Sequence, residues 1–308
     1  MASHNYCHIL LSLLLLFVTL AYQSFANPRM LSLVKPKPLV LKYRDGVLLK
    51  GNIKVNLIWY GKFTPAQRAI IVDYLQSLSP KKPHTPAPPS VASWWRTTEN
   101  YKGGPSIITV GKQIFLHSYP IGKSLNTTHM EDIAFKFHNV NTINVILTAS
   151  DVLVEDFCMN RCGSHGWTRG KKGMKFAYGW VGNSASQCPG VCAWPFAKPL
   201  VGPQIPPLVA PNGDVGVDGM VVNLATVMAG TVTNPFDKGY FMGTPSIPLE
   251  AVTACRGIFG SGAFPGFPGR VLVDKVTGSS YNAKGLNGRK YLLPAMWDPK
   301  TSTCKPLV

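Results

Sequence analysis

Ile53-Lys54-Val55-Asn56-Leu57-Ile58-Trp59-Tyr60, with Thr64-Pro65-Ala66-Gln67 close behind it, is the stretch on which the fold class turns. Ile53, Val55, Leu57 and Trp59 alternate with other residues, the period of a strand that buries one face. Thr64 then offers a capping hydroxyl, Pro65 a first-turn proline and Gln67 a third-position amide, which together start a helix. Ile70, Ile71, Tyr74, Leu75 and Leu78 follow at helical spacing, so Thr64 to Ser79 is predicted helical.

Upstream, Leu39 to Lys50 holds two apolar runs around Asp45-Gly46, a two-residue hairpin signal. Downstream, five prolines from Pro80 to Pro89 predict an exposed connection, and Ser90 caps a short helix carrying Trp94 and Trp95. Ile107 to Val110 and Gln113 to Ser118 read as a hairpin about Gly111-Lys112, Met130 to Phe137 as a helix, and Ile143 to Thr148 as a buried strand. From Cys158 to Pro211 the chain shows four cysteines, many glycines and prolines, and almost no periodicity, so cross-links are expected to replace a core there. Asp218 is expected to cap a buried apolar helix, Met220 to Val232, closed by Asn234-Pro235. A shorter helix is predicted from Pro248-Leu249-Glu250 to Gly257, then a Gly-rich loop from Gly260 to Gly269, a strand at Val271 to Val273 and a terminal strand at Tyr291 to Leu293. This irregular alternation predicts an α/β (α+β) chain: a single domain, a mixed β-sheet flanked by helices and a disulfide-stapled loop region.

Among the 308 residues, 31 Lys and Arg stand against 14 Asp and Glu, a net charge of +17, with 45% hydrophobic and 15% charged types. These figures exclude a disordered acidic chain and a collagen. Residues 1–26 contain no charged side chain, and the apolar run Ile9 to Ala21 precedes the small-residue pattern Ser24-Phe25-Ala26. That pattern predicts a secretory signal peptide over 1–26, leaving 27–308 as one secreted domain. No later stretch reaches the ~18 apolar residues of a membrane span, so no transmembrane segment is expected after signal removal. Six cysteines remain: Cys158, Cys162, Cys188, Cys192, Cys255 and Cys304. The oxidising route favours three disulfides, in pairings the sequence does not choose, over a four-thiolate zinc site built on the repeated Cys-x-x-x-Cys spacing.

Signatures of chemistry are sparse. There is no His-Glu-x-x-His and no Gly-x-Ser-x-Gly, and Gly260-Ser261-Gly262 lacks the spacing of a nucleophile elbow. His84, His117, His129, His138 and His165 show no pair three to five residues apart. No catalytic residue, metal ligand or cofactor is expected. Asp151, Glu155 and Asp156 supply the paired carboxylates of a glycoside hydrolase, an alternative weighed against carboxylates that cap turns or pair with Arg161. Asn212-Gly213-Asp214 with Asp218 resembles part of a calcium loop, yet Asn223 stands where the bidentate Glu belongs; Asp218 is read as a helix cap and Asp214 as a turn former. Trp94, Trp95, Trp167, Trp180 and Trp194 are stacking platforms for sugars or, more commonly, core. Arg169, Lys171, Lys172 and Lys175 form a basic stretch suited to a polyanion. Secretion makes nucleic acid a poor partner and an acidic polysaccharide a better one. Asn126-Thr127-Thr128 is a glycosylation acceptor, expected to be exposed before a helix.

Several motifs are long and unusual: Ser150-Asp151-Val152 with Asp156-Phe157-Cys158, Gly179-Trp180-Val181-Gly182-Asn183, Cys188-Pro189-Gly190-Val191-Cys192, the run Pro211 to Met220, and Arg289-Lys290-Tyr291-Leu292-Leu293-Pro294-Ala295. From about Leu39 onward they resemble the plant EXORDIUM family, also called phosphate-induced protein 1. The resemblance implies a secreted protein of the cell-wall space, the apoplast, associated with cell expansion and growth. It supplies no established enzymatic activity and so no catalytic residues. A binder of an acidic wall polysaccharide or of a surface partner is the expected role; a wall-glycan hydrolase and a ligand of a membrane receptor are the alternatives. The segment Asp218 to Pro235 is more weakly similar to the active-site helix of zincin-type metalloproteins. Thr226-Val227 and Gly230 stand at the ligand positions, with Glu250 near a third, so a zincin-like member would have lost its metal site.

Overall fold

The strand and helix on which the sequence reading turned are both present. β1 (Gly51–Tyr60) lies inside a five-stranded sheet and α1 (Pro65–Leu78) follows it, opened by a full capping box. Thr64 Oγ1 accepts from Gln67 N at 3.2 Å, and Gln67 Oε1 accepts from Thr64 N at 2.9 Å. The structure is a computed structural model that describes residues 14–15, 39–81, 85–139, 141–159, 161–170, 173–245 and 247–308. The predicted signal peptide, apart from Leu14 and Leu15, lies outside the described residues, as do His84, Lys171 and Lys172. Residues 39–308 form one compact unit.

After α1 the chain makes α2 (Val91–Trp95), capped by Ser90 as expected, then β2 (Ser106–Leu116), α3 (Thr127–Lys136) and β3 (Thr142–Thr148). β4 (Gly163–Arg169) and β5 (Lys175–Gly182) follow, then the short α4 (Pro189–Cys192) and the long α5 (Val215–Thr233). The sheet order is β2-β1-β3-β5-β4, parallel throughout except for the edge strand β4. The crossover from β1 to β2 and the one from β2 to β3 run in opposite directions, so right-handed connections put α1 and α3 on opposite faces. Both faces are therefore covered. Asn56, Ile58 and Tyr60 are accordingly buried along with Ile53, Val55, Leu57 and Trp59.

Several expectations are corrected by long-range pairing. Gly111-Lys112 is no hairpin: β2 runs straight through it beside β1, with one extra residue between Val110 and Gln113 against Val55 to Leu57. The bulge is organised by buried Asn56, whose Oδ1 accepts from Lys112 N at 2.8 Å and whose Nδ2 donates to Asn144 Oδ1 at 2.9 Å. Only a glycine at 111 leaves room for that oxygen. Asp45-Gly46 likewise forms no local hairpin, since Lys42–Tyr43 pairs antiparallel with Tyr240–Thr244. The stretch Cys158 to Pro211, read as coreless, contributes the β4–β5 hairpin, and β5 is buried from Phe176 to Gly182. Its glycines erased the periodicity.

The cap of the apolar helix moves as well. Asp214 caps α5, accepting from Val217 N at 2.9 Å, while Asp218 lies in the first turn, 2% exposed, and takes both donors of Asn212. α5 is long and apolar enough to cross a membrane, but it is buried in the protein core. Where a helix was predicted from Pro248 to Gly257, Ile247–Leu249 is a strand and only Thr253–Cys255 makes a 3₁₀ turn. Leu272–Val273 and Lys290–Tyr291 are strands near their expected places. Disulfides join Cys158 to Cys188, Cys162 to Cys192 and Cys255 to Cys304. The thiols that a zinc site would need are thus consumed in pairs.

Candidate functional site

Two groups of residues are candidates. The first is the hairpin tip. Antiparallel pairing sets Arg169 directly opposite Lys175 and Trp167 opposite Ala177. Like charges in direct register oppose pairing, so this tip is charged at some cost in stability. Lys175 Nζ lies 3.5 Å from the centre of the Trp167 ring, a close cation–π contact, and Trp167 is oriented by donating to Asp237 Oδ2 at 2.8 Å. Arg169 Nη1 donates to Gly173 O at 2.9 Å.

The tip borders a cleft of about 560 Å³ at the start of β1, β3 and β5, lined among others by Lys50, His138, Lys175, Phe176 and Phe236. The His138 ring stacks on Phe176 with centroids 3.7 Å apart and planes 13° apart. Burial holds its pKa below the usual imidazole value, so it is a neutral aromatic face near pH 7. Lys50 Nζ donates to Thr98 O at 3.0 Å; desolvation lowers its pKa to about 8 against the pull of Glu99. Among the described residues, neither Lys50 nor Lys175 has a carboxylate within 4.0 Å. A cleft with cations on its rim and flat rings on its wall can take a ring-bearing anion.

The second group is packed against α5 at Gly230. Gly230 and Glu250, two of the positions matched to a lost metal site, do come together, and His165 of β4 joins them. His165 Nε2 and Glu250 Oε2 are 2.8 Å apart, and a methyl group at Gly230 would sit 2.7 Å from that oxygen and 2.8 Å from that nitrogen. Asn234 Nδ2 donates to Glu250 Oε1 at 2.7 Å. Burial disfavours the imidazolium, yet the adjoining Glu250 carboxylate outweighs it and raises the pKa of His165. Thr226 and Val227 stay apart from this group: Thr226 Oγ1 donates back to Val222 O at 3.0 Å, and Val227 packs on Gly163 and Gly179. His165 is the residue the sequence reading missed, because the strand that delivers it showed no alternation. No group of three His, Cys, Asp or Glu able to hold a metal occurs among the described residues. The arrangement is a buried ion pair that ties β4 to the segment after Ile247–Leu249, with Asn234, the C-cap of α5, bonded to the same carboxylate.

The remaining candidates separate. Asp151 Oδ2 accepts from Tyr119 Oη at 2.9 Å and pairs with Lys123, whose ammonium lowers its pKa most. Asp156 lies 3.5 Å from Arg161, the pairing weighed against catalysis, and all three carboxylates are exposed. Trp94, Trp95 and Trp180 are core; Trp167 and Trp194 are half-buried. Asn126 is exposed and serves as the N-cap of α3.

Residues 41–307 match the conserved region of phosphate-induced protein 1. The chain is 61% identical to Protein EXORDIUM-like 2 of Arabidopsis thaliana over 95% of this chain and 97% of that one. It is 53% identical to Protein PHOSPHATE-INDUCED 1 of Nicotiana tabacum, covering 98% of this chain and 99% of that one, and 52% identical to Protein EXORDIUM of Arabidopsis thaliana, covering 98% and 100%. No solved structure matches the chain. The protein belongs to the EXORDIUM, or phosphate-induced protein 1, family.

Proposed function

We propose that this chain is a secreted protein of the plant cell wall that holds an acidic polysaccharide in the cleft beside the β4–β5 hairpin and acts on cell expansion through that attachment. The observation that carries the reading is the hairpin tip. Arg169 and Lys175 face each other across the ladder, and Lys175 rests on Trp167 beside a cleft walled by Phe176 and His138. Three disulfides suit an oxidising compartment. The net charge of +17 draws a polyanion toward the surface from about one screening length, roughly 8 Å at physiological salt. Aromatic walls add selectivity for sugar rings over other polyanions.

The test is a wall-polysaccharide array probed with the purified protein at low and physiological salt, with release of reducing ends recorded. The expected outcome is saturable binding to polyuronates that weakens with salt and releases no sugar ends. Lys175→Ala and Trp167→Ala should each weaken it about five- to tenfold. Release of reducing ends that Asp156→Asn abolishes would overturn the reading in favour of a hydrolase. Salt-resistant binding to protoplasts without glycan binding would overturn it in favour of a receptor ligand.

A further inference from the structure

Two more clefts, of about 630 and 530 Å³, meet at the turn Leu286–Gly288, and Asn287 lines both. The larger differs in chemistry from the hairpin cleft, while the smaller mixes Lys81, Gln76 and Thr109 with the apolar Ile108, Val110 and Leu286. Arg289 Nε donates to Asp73 Oδ2 at 2.8 Å, and Lys290 is bonded to Asp274. Each cation in the larger cleft thus already has its own carboxylate.

The polar groups there are also held in place from behind. Asn212 N and Nδ2 donate to the buried carboxylate of Asp218 at 2.8 and 2.6 Å, and Asn212 Oδ1 accepts from Arg289 Nη1 at 3.0 Å. Thr277 and Ser279 hydroxyls bond each other at 2.8 Å on the same wall. Side chains fixed by such supporting bonds need little ordering to receive a ligand. Asn287 itself adopts φ 56°, a left-handed conformation that a non-glycine residue holds only at a cost of about 1 kcal/mol, and it does so with its side chain exposed where the two clefts join.

The ligand class follows from this inventory. An anion would have to displace carboxylates already paired with Arg289 and Lys290, and an apolar ligand would strand the amides and hydroxyls of the wall. A neutral chain of hydroxyl groups, each both donor and acceptor, matches amide, carboxylate, guanidinium and hydroxyl partners together. We propose that this double cleft binds a neutral oligosaccharide, with sugar units on either side of Asn287. The site is independent of the acidic-polysaccharide reading above.

Calorimetry of the full chain against cellohexaose, xylohexaose and galactohexaose, at physiological and at molar salt, tests it. At least one of these should bind saturably, with an affinity that salt changes by less than about twofold. Asn287→Gly keeps the backbone, since glycine adopts that φ freely, and should weaken binding about tenfold with a melting temperature no lower than that of the wild type. Asp274→Asn should weaken it as well, whereas Lys175→Ala should not. Failure of every hexasaccharide to bind at millimolar concentration would overturn the proposal. So would binding that Asn287→Gly and Asp274→Asn both leave intact, or that Lys175→Ala abolishes.

Discussion

The β1–β5 sheet and the chain beyond α5 are ordered by different physics. In the sheet, β1 and β2 run 10 and 11 residues, and their order comes from a long parallel ladder broken by one bulge and from the burial of β1 from Val55 to Tyr60. Among the described residues after 233, no strand exceeds the five of Tyr240–Thr244. There the chain is fixed point by point, by buried side chains that bond distant backbone. Asn282 Nδ2 donates to Phe259 O and Leu293 O at 2.8 and 2.7 Å, while its Oδ1 accepts from Leu293 N at 2.8 Å. Trp94 Nε1 donates to Pro294 O at 2.7 Å, Tyr101 Oη to Trp297 O at 2.6 Å and Tyr291 Oη to Ile70 O at 3.0 Å. A ladder tolerates the loss of one bond. A point contact has no neighbour to share its load, so removing one leaves a buried group unsatisfied at about 1–3 kcal/mol.

The staples give the largest expected effect. Cys158–Cys188 and Cys162–Cys192 each close 30 residues and lie four residues apart at both ends. With one intact, the other closes only a short effective loop. Replacing either pair by serine should therefore cost about 2.5 kcal/mol, and replacing both about 6, more than the sum of the two. Cys255–Cys304 closes 49 residues by itself, and its loss should cost about 4 kcal/mol. Urea titration of the serine variants measures these values. Strict additivity of the two neighbouring bridges would show that they stabilise by packing and not by loop closure.

Asp218 gives the next effect, and it depends on pH. Burial pushes its carboxyl up to about 6, although Asn212 bonds oppose this. Between its unfolded value, about 4, and that folded value, the native protein binds the proton more tightly than the unfolded chain. Stability should therefore rise as pH falls from 7 toward 4, by about 3 kcal/mol from this group. Asp218→Asn should flatten that part of the profile. His165, whose pKa is raised by Glu250, acts in the same direction: its contribution is complete below the unfolded imidazole value and is lost as pH rises through the folded one. Urea midpoints at pH 4.5 and 7.5 check both. A wild-type protein more stable at pH 7.5 would show that the Asp218 carboxylate is satisfied when charged.

The same division explains what could be read from sequence. α1, α2 and β3 are local: Thr64, Ser90 and the run Ile143 to Thr148 are visible within a few residues of what they determine. The six cysteines were legible as bridges, but their pairing required the hairpin that brings Cys162 near Cys192. β4 and β5 were hidden because Gly163, Gly166, Gly179 and Gly182 interrupt the alternation. Gly111-Lys112 misled because a bulge and a hairpin use the same residue types, and only Asn56, 55 residues upstream of Gly111, decides between them. Of the candidate site, Arg169 and Lys175 could be named in advance, whereas Trp167 under Lys175 and His138 on Phe176 come only from tertiary placement.

The smallest effect tests the local end of the comparison. Asn126 Oδ1 accepts from His129 N at 3.0 Å, and His129 Nδ1 accepts from Asn126 N at 3.2 Å, a capping box at the start of α3 with histidine in the place usually taken by a carboxylate or amide. A glycan attached to the side-chain nitrogen would leave that accepting oxygen in use, so capping and modification are compatible. In unglycosylated protein, Asn126→Ala should cost about 1 kcal/mol, Asn126→Asp almost nothing because the acceptor is kept, and Thr128→Ala only a few tenths although it too destroys the acceptor motif. Thermal melts of the three variants separate the cap from the sequon. Because α3 belongs to the sheet region, where each bond has neighbours, the loss should stay local: amide exchange should quicken in the first turn of α3 and not in β3, which it covers. Exchange that quickened through β3 as well would mean that this helix is held point by point, like the chain beyond α5.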